Sequence, residues 1–354
     1  MTVLDTGPLP AEPAPRSARA SGGSIPDRLE GRASRIFLRW EVLLLVLAAI
    51  VFAINSFASP YFLDPWNLSD ATYNFTEKAM IGLAMALLIV SGEIDLSVAS
   101  IIALASVAMG AAAAAGASVW MLVLIGLGVG LVAGAFNGFL VTMVGLPSIV
   151  VTIGTMSLFR GIAFIVLGDQ VYNSYPAGFE WFGQGYVVWA FTVELVMFLV
   201  LAVIFGLVLQ KSTFGRRVYA IGNNPMAARF SGIRVERIKF ILFLLTGVMS
   251  GLASICLTSR LGSTRPSIAT GWELEVVTMV VLGGVAINGG SGTILGVVIA
   301  AFVMGLVTFG FGLLNVPGIV MSIFIGLLLI AVIALPILFR RVMAARRSTR
   351  RVAA

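Results

Sequence analysis

The chain has 354 residues, 59% of them hydrophobic and only 11% charged, with a net charge of +7. A soluble domain carries roughly 25% charged residues, so this composition excludes one and makes a bilayer the solvent for most of the surface. A single cysteine, Cys256, and no histidine leave no basis for a disulfide, a zinc or haem centre, or a Cys–His nucleophile, so neither metal nor cofactor is expected.

Residues 1–35 are rich in Pro, Ala and Arg; they cannot bury a core and are expected to be a disordered cytoplasmic tail. The first apolar run begins only at Trp40, too late for a cleaved signal peptide. Beyond it the sequence predicts an all-α membrane bundle over 36–339. Its ten candidate spans are Trp40–Ala58, Ala79–Ser91, Leu96–Ala115, Val119–Val141, Leu146–Gly168, Val187–Leu209, Phe240–Thr258, Glu275–Ile287, Thr293–Leu314 and Ile319–Leu338. A full crossing takes about 20 apolar residues. The second and eighth runs are short, and Gly-rich stretches (SGEIDLS, NGGSG) follow them. They are either broken or re-entrant helices or helices lengthened by the polar flanks Glu77–Lys78 and Trp272–Glu273.

Basic residues set the orientation. The N-tail holds Arg16, Arg19, Arg28, Arg32, Arg35 and Arg39, and the C-terminal tail 340–354 holds Arg340, Arg341, Arg346, Arg347, Arg350 and Arg351. The central loop 210–239 holds Lys211, Arg216, Arg217, Arg229, Arg234, Arg237 and Lys239. Short basic segments stay in the cytoplasm, which puts six spans before the central loop and four after it. Both termini are then cytoplasmic. The opposite segments, Ser59–Lys78 and Asp169–Tyr186, carry acids and the interfacial rings Tyr61, Trp66, Tyr73, Tyr172, Tyr175, Trp181 and Tyr186. The positive charge therefore describes topology, and no nucleic-acid partner is expected.

Gly126, Gly130, Gly134 and Gly138 share one face of the fourth span, a groove for a neighbouring helix. Gly247 and Gly251 repeat the spacing in the seventh span, as do Gly292, Gly296 and Ala300 in the ninth. Within the spans, Arg160 either lines a hydrated cavity or reaches the interface near Asp169, and Glu194 lies in the sixth. No row of carboxylates suited to a proton relay crosses the membrane. In the central loop, Asn224 suits an N-cap, Pro225 the first helical position and Gly232 the residue after the end. These frame a short helix, Pro225–Ser231, which is marginal alone. It either docks on a partner or lies on lipid as part of an ordinary basic loop.

Three stretches carry a family resemblance: LIVSGEIDLSVASI (Leu88–Ile101), NGFLVTMVGLPSIVVTIGTMSLFRG (Asn137–Gly161), and TFGRRVYAIGNNPMAARFSGIRV (Thr213–Val235) with VLGGVAINGGSGTILG (Val281–Gly296). The chain resembles the inner-membrane permease subunits of bacterial ABC importers of the ribose/xylose/rhamnose/autoinducer-2 type. Glu93 stands where the signature often has a second Gly, and Ser291 where ribose-type members tend to carry a basic residue. Both depart toward the rhamnose or autoinducer-2 branches.

The resemblance implies a multi-pass protein of the bacterial inner membrane with no catalytic residues of its own. Its partners would be a second permease subunit (identical or not), cytoplasmic ATP-binding subunits and a periplasmic solute-binding protein. None of Lys78, Lys211 or Lys239 follows a glycine, so no Walker A motif can be written. Asn224, Pro225, Ala227, Ala228, Arg229, Ser231 and Gly232 would form an ATPase-coupling helix, with Arg229 meeting an acidic rim. Asn137, Thr152, Thr155, Ser157 and Arg160 are candidates for the translocation path, although such hydroxyls also bond their own helix. Gly92, Glu93, Asp95 and Ser97 are motif or gate candidates, with Asp95 expected to cap the third helix. One rival is a single-chain secondary transporter driven by an ion gradient. The other is an intramembrane enzyme, for which only a Ser–Lys pair or a carboxylate dyad could serve.

Overall fold

The computed structural model describes residues 40–168, 170–331 and 334. The tails 1–35 and 340–354, Asp169 and the end of the tenth predicted span lie outside the described residues. The described chain is helical apart from one small hairpin. Its helices are α1 (Trp40–Ala58), α2 (Pro65–Tyr73), α3 (Thr76–Val90), α4 (Val98–Ala114), α5 (Val119–Thr142), α6 (Ser148–Leu167), α7 (Trp181–Gln184), α8 (Val193–Lys211), α9 (Thr213–Asn223), α10 (Pro225–Phe230), α11 (Val235–Leu261), α12 (Trp272–Leu282) and α13 (Ile294–Leu313). A further apolar helix, α14, covers Gly318–Ala331.

A helix sits at each predicted span, and several boundaries differ. The sixth begins only at Val193, because Tyr186–Val188 (β1) pairs antiparallel with Phe191–Thr192 (β2) around Trp189, whose φ is +48°. Thr192 then caps α8 by accepting from the Leu195 N–H. The seventh gains a turn at each end, closing on Gly262 in the left-handed region. The eighth stops at Leu282, and residues 283–293 form a loop.

Both short runs begin in their polar flanks, with Glu77 and Lys78 helical in α3 and Trp272 and Glu273 opening α12, yet α3 has only 15 residues and α12 only 11, so neither helix alone is long enough for a full crossing. Among the described residues, six helices (α1, α5, α6, α8, α11 and α13) are long and apolar enough to cross a membrane. A seventh span arises if α2 and α3, bent by 47°, act as one.

Helix α3 is the centre of the molecule, and every one of its residues except Lys78 is buried. An all-round apolar helix needs other helices rather than lipid around it, and α3 packs against α8, α11, α12 and α13. The glycine face of α5 lies against α11. A Cβ on Gly134 would sit 2.5 Å from the Phe243 carbonyl, and one on Gly130 would collide with that of Gly247. Only bare backbone allows this approach, which brings dispersion contacts to a pair that gains nothing from water exclusion in lipid. Gly296 and Gly283 do the same between α13 and the end of α12.

Candidate functional site

The quoted motifs converge at one end of the bundle. There α3 runs into the loop 91–97 and α12 into the loop 283–293, and helix α9 of the basic segment lies across both. The Gly290 N–H donates to the Val90 carbonyl (2.9 Å), and Asn223 Nδ2 donates to the Gly290 carbonyl (3.1 Å). The Tyr219 hydroxyl donates to the Gly292 carbonyl (2.6 Å), and burial pushes its pKa above the ordinary value. A Cβ on Gly222 would collide with the Val90 carbonyl, so α9 rests directly on the backbone where α3 ends. Gly92 takes φ +89° and Gly289 +82°, turns that a side chain would strain.

Asp95 is fully buried in this junction, and the expectation that it caps the next helix is corrected. The N-cap of α4 is Ser97, two residues on, and its side chain makes no cap bond. Asp95 Oδ1 instead accepts from the Ser97 N–H (2.9 Å) and hydroxyl (2.6 Å), and Oδ2 accepts from Thr246 Oγ1 of α11 (3.2 Å). Asn137 of α5 donates to Ser97 Oγ (2.7 Å). The carboxylate thus ties the loop to α11 directly and to α5 through Ser97. Glu93 adds an ion pair to Lys239 at the start of α11.

The short helix α10 forms between the predicted signals. Asn224 Oδ1 accepts from the Ala227 N–H (3.0 Å) and Pro225 occupies the first turn. Gly232, at φ +80°, donates to the Arg229 carbonyl (2.9 Å), and Ile233 donates to that of Ala228 (3.1 Å), which together make a Schellman stop. Arg229 pairs with Glu236 of its own chain. Ala228 points into the chain and is 4% exposed, whereas Met226 and Phe230 are 58% and 86% exposed.

The opposite end holds a second polar cluster. Glu77 at the start of α3 is fully buried and accepts from Arg260 Nε (2.8 Å) at the end of α11. Glu194, also buried, accepts from Thr76 Oγ1 (2.9 Å). Lys78 pairs with Glu275 and lies 4.8 Å from the centre of the Trp272 ring. Beside them Arg260, Arg265, Ser263, Ser267 and Trp272 line a cavity of about 590 Å³.

Arg160 bonds to the backbone of a neighbouring loop. Its Nη1 donates to the Pro266 and Ile268 carbonyls (2.7 Å each) and fastens α6 to the loop before α12. Thr152 and Thr155 are buried and donate to the carbonyls of Ser148 (2.8 Å) and Thr152 (3.4 Å); Ser157 is exposed and donates to that of Ile153 (3.4 Å). The sequence reading missed Glu77, Arg260, Thr246, Tyr219 and Asn223. Only charge at a span end hinted at the first two.

Apolar helices of crossing length, packed around a buried central helix, mark a polytopic membrane protein. The chain belongs to the family described as "Branched-chain amino acid transport system / permease component", whose pattern matches residues 67–333. It is 34% identical over 316 residues to the L-arabinose ABC transporter permease protein AraH of Azospirillum brasilense, covering 88% of this chain and 89% of that one. It is 32% identical over 302 residues to the autoinducer 2 import system permease protein LsrD of Enterobacter sp. (strain 638), covering 84% and 92%. With the ribose import permease protein RbsC of Bacillus subtilis (strain 168) it shares 33% over 288 residues, covering 81% and 89%. No solved structure matches it. The chain is therefore a multi-pass inner-membrane permease subunit without catalytic function, and ATP hydrolysis belongs to a separate subunit.

Proposed function

We propose that this chain translocates a sugar or sugar-like solute that a periplasmic binding protein delivers and separate ATPase subunits drive, working as a pair of permease subunits. The observation that carries the reading is near full-length similarity to permeases named for arabinose, autoinducer 2 and ribose. Their identities are nearly equal, so the preference for a rhamnose- or autoinducer-2-type solute over ribose rests on Glu93 and Ser291. The cavity under Trp272 suits such a cargo. An indole face packs on sugar C–H groups, and Arg265 and the two serines offer donors to hydroxyls. At the other end the segment Asn224–Gly232 would seat on the ATPase. Its motion would pass through α9 to the loops 91–97 and 283–293, and so to α3 and α12.

Energy coupling tests this reading. Purified alone in liposomes, the chain should neither hydrolyse ATP nor accumulate arabinose, ribose or rhamnose under any ion gradient. Uptake should appear only with its ATPase and binding protein. Concentrative uptake by the lone chain would replace the reading with a secondary transporter. The topology behind it is ten spans with cytoplasmic termini. Reporter fusions at Arg217 and Arg347 should score cytoplasmic and one at Gly178 should score outside; an outside signal at Arg217 would remove the ten-span reading.

A further inference from the structure

A second cavity of about 590 Å³ opens beside the short helix α10, lined by Phe214, Arg217, Ser231, Gly232, Ile233, Arg234, Arg237, Ile238 and Ile241. Its lining has a pattern. Arg234, Arg237, Ile238 and Ile241 follow one another at helical spacing, on one face of α11 and the residue that precedes it. Phe214 and Arg217, three residues apart on α9, add an apolar ring and a third guanidinium. Among the described residues, none of the three guanidinium groups has an ion-pair partner; the nearest acid in sequence, Glu236, is held by Arg229. Three like charges around one concavity repel until an anion enters, and a guanidinium fork fits phosphate oxygens. Ile233 and Ile241 supply half-buried apolar lining, and Ile241 lies in the apolar helix Val235–Leu261. A ligand that fills both halves carries a phosphate at the arginine level and hydrocarbon below it.

We infer that this cavity binds the phosphate of an anionic phospholipid at the cytoplasmic face, with its acyl chain along Ile241. The lipid would sit under the C-terminal stop of α10, against Ser231 and Gly232, so its occupancy would steady the segment proposed to meet the ATPase. An acidic surface of that ATPase is the competing occupant. The half-buried Ile241 in an apolar helix argues against it, because an acidic protein surface would leave that side chain without an apolar partner.

The test uses the full-length chain in native mass spectrometry, with phosphatidylglycerol against phosphatidylcholine. The variant is Arg217→Gln/Arg234→Gln/Arg237→Gln, or Arg234→Gln alone if the triple change fails to give a monodisperse protein. Phosphatidylglycerol retention should fall at least about fivefold in the triple variant and about twofold in the single one, with phosphatidylcholine retention unchanged. Added salt should weaken the difference, since Arg217, Arg234 and Arg237 are all exposed and exposed charges are screened. Equal phosphatidylglycerol retention by wild type and variant overturns the inference. Displacement of the lipid by millimolar inorganic phosphate overturns it in favour of a free-anion site. Loss of ATPase co-purification with lipid retention intact overturns it in favour of the protein partner. None of these readouts requires the transported solute, so the inference can fail while the transport reading stands.

Discussion

Arg260→Ala is expected to remove most of the folded protein from detergent extracts, a larger loss than any other single substitution considered. Glu77 has no exposed surface and takes Arg260 Nε at 2.8 Å. Glu194 is buried nearby with a hydroxyl, Thr76 Oγ1, as its partner. Removing the guanidinium leaves a carboxylate in an apolar bundle with no cation bonded to it, a class of change that costs about 3–5 kcal/mol. Glu77→Gln should cost less, because an amide needs no counter-charge and Arg260 can still reach the water of its cavity. The double variant Arg260→Ala/Glu77→Gln should recover part of the loss, giving a coupling of about 2 kcal/mol in a double-mutant cycle. Thermal unfolding followed by Trp fluorescence measures all three. If the double variant is as unstable as the sum of the singles, the pair is not coupled and the cluster does not hold α3 to α11.

Much of the bundle could be read from the chain because one physical rule writes it: backbone in lipid must be helical, and the helix must be apolar. The fourfold glycine spacing at 126–138 foretold a close helix neighbour, yet only the fold names that neighbour as Gly247 and Phe243 of α11. Periodicity reports the face of one helix and says nothing about what covers it. The same limit hid the Glu77–Arg260 pair, whose members are 183 residues apart. It also hid Asp95, where a local signal for a helix cap was outweighed by hydroxyl donors on Ser97 and Thr246. At Val187–Leu209 the apolar content was read as span, but Trp189 turns the chain and its first residues pair as a hairpin. Arg160 was placed correctly along α6. Its partners are backbone carbonyls, which no sequence pattern advertises.

The short helix α10 is the clearest case of a local signal that survives folding, and it yields the second large effect. Ala228 is one of the residues expected to form the coupling helix. In the fold Ala228 is buried among this chain's own apolar side chains, so Ala228→Glu would damage the permease itself and report nothing about a partner. The free surface is Met226, Ala227, Arg229 and Phe230. A phenyl ring 86% exposed on a rigidly capped helix costs little conformational entropy to dock and is the kind of group that dominates an interface, worth about 2 kcal/mol or more. Phe230→Asp should therefore lower ATPase co-purification and solute uptake at least tenfold. Expression, membrane insertion and unfolding temperature should stay near wild type, since the ring supports nothing within the chain. Gly232→Val should weaken both readouts by another route. Holding a β-branched residue at φ +80° costs about 1–2 kcal/mol, which frays the stop of α10 and releases Phe230 from its orientation. Gly232→Asn tolerates that backbone better and should restore most of the uptake. Wild-type assembly and uptake in Phe230→Asp would mean that α10 is an ordinary cytoplasmic turn and that force enters the bundle elsewhere.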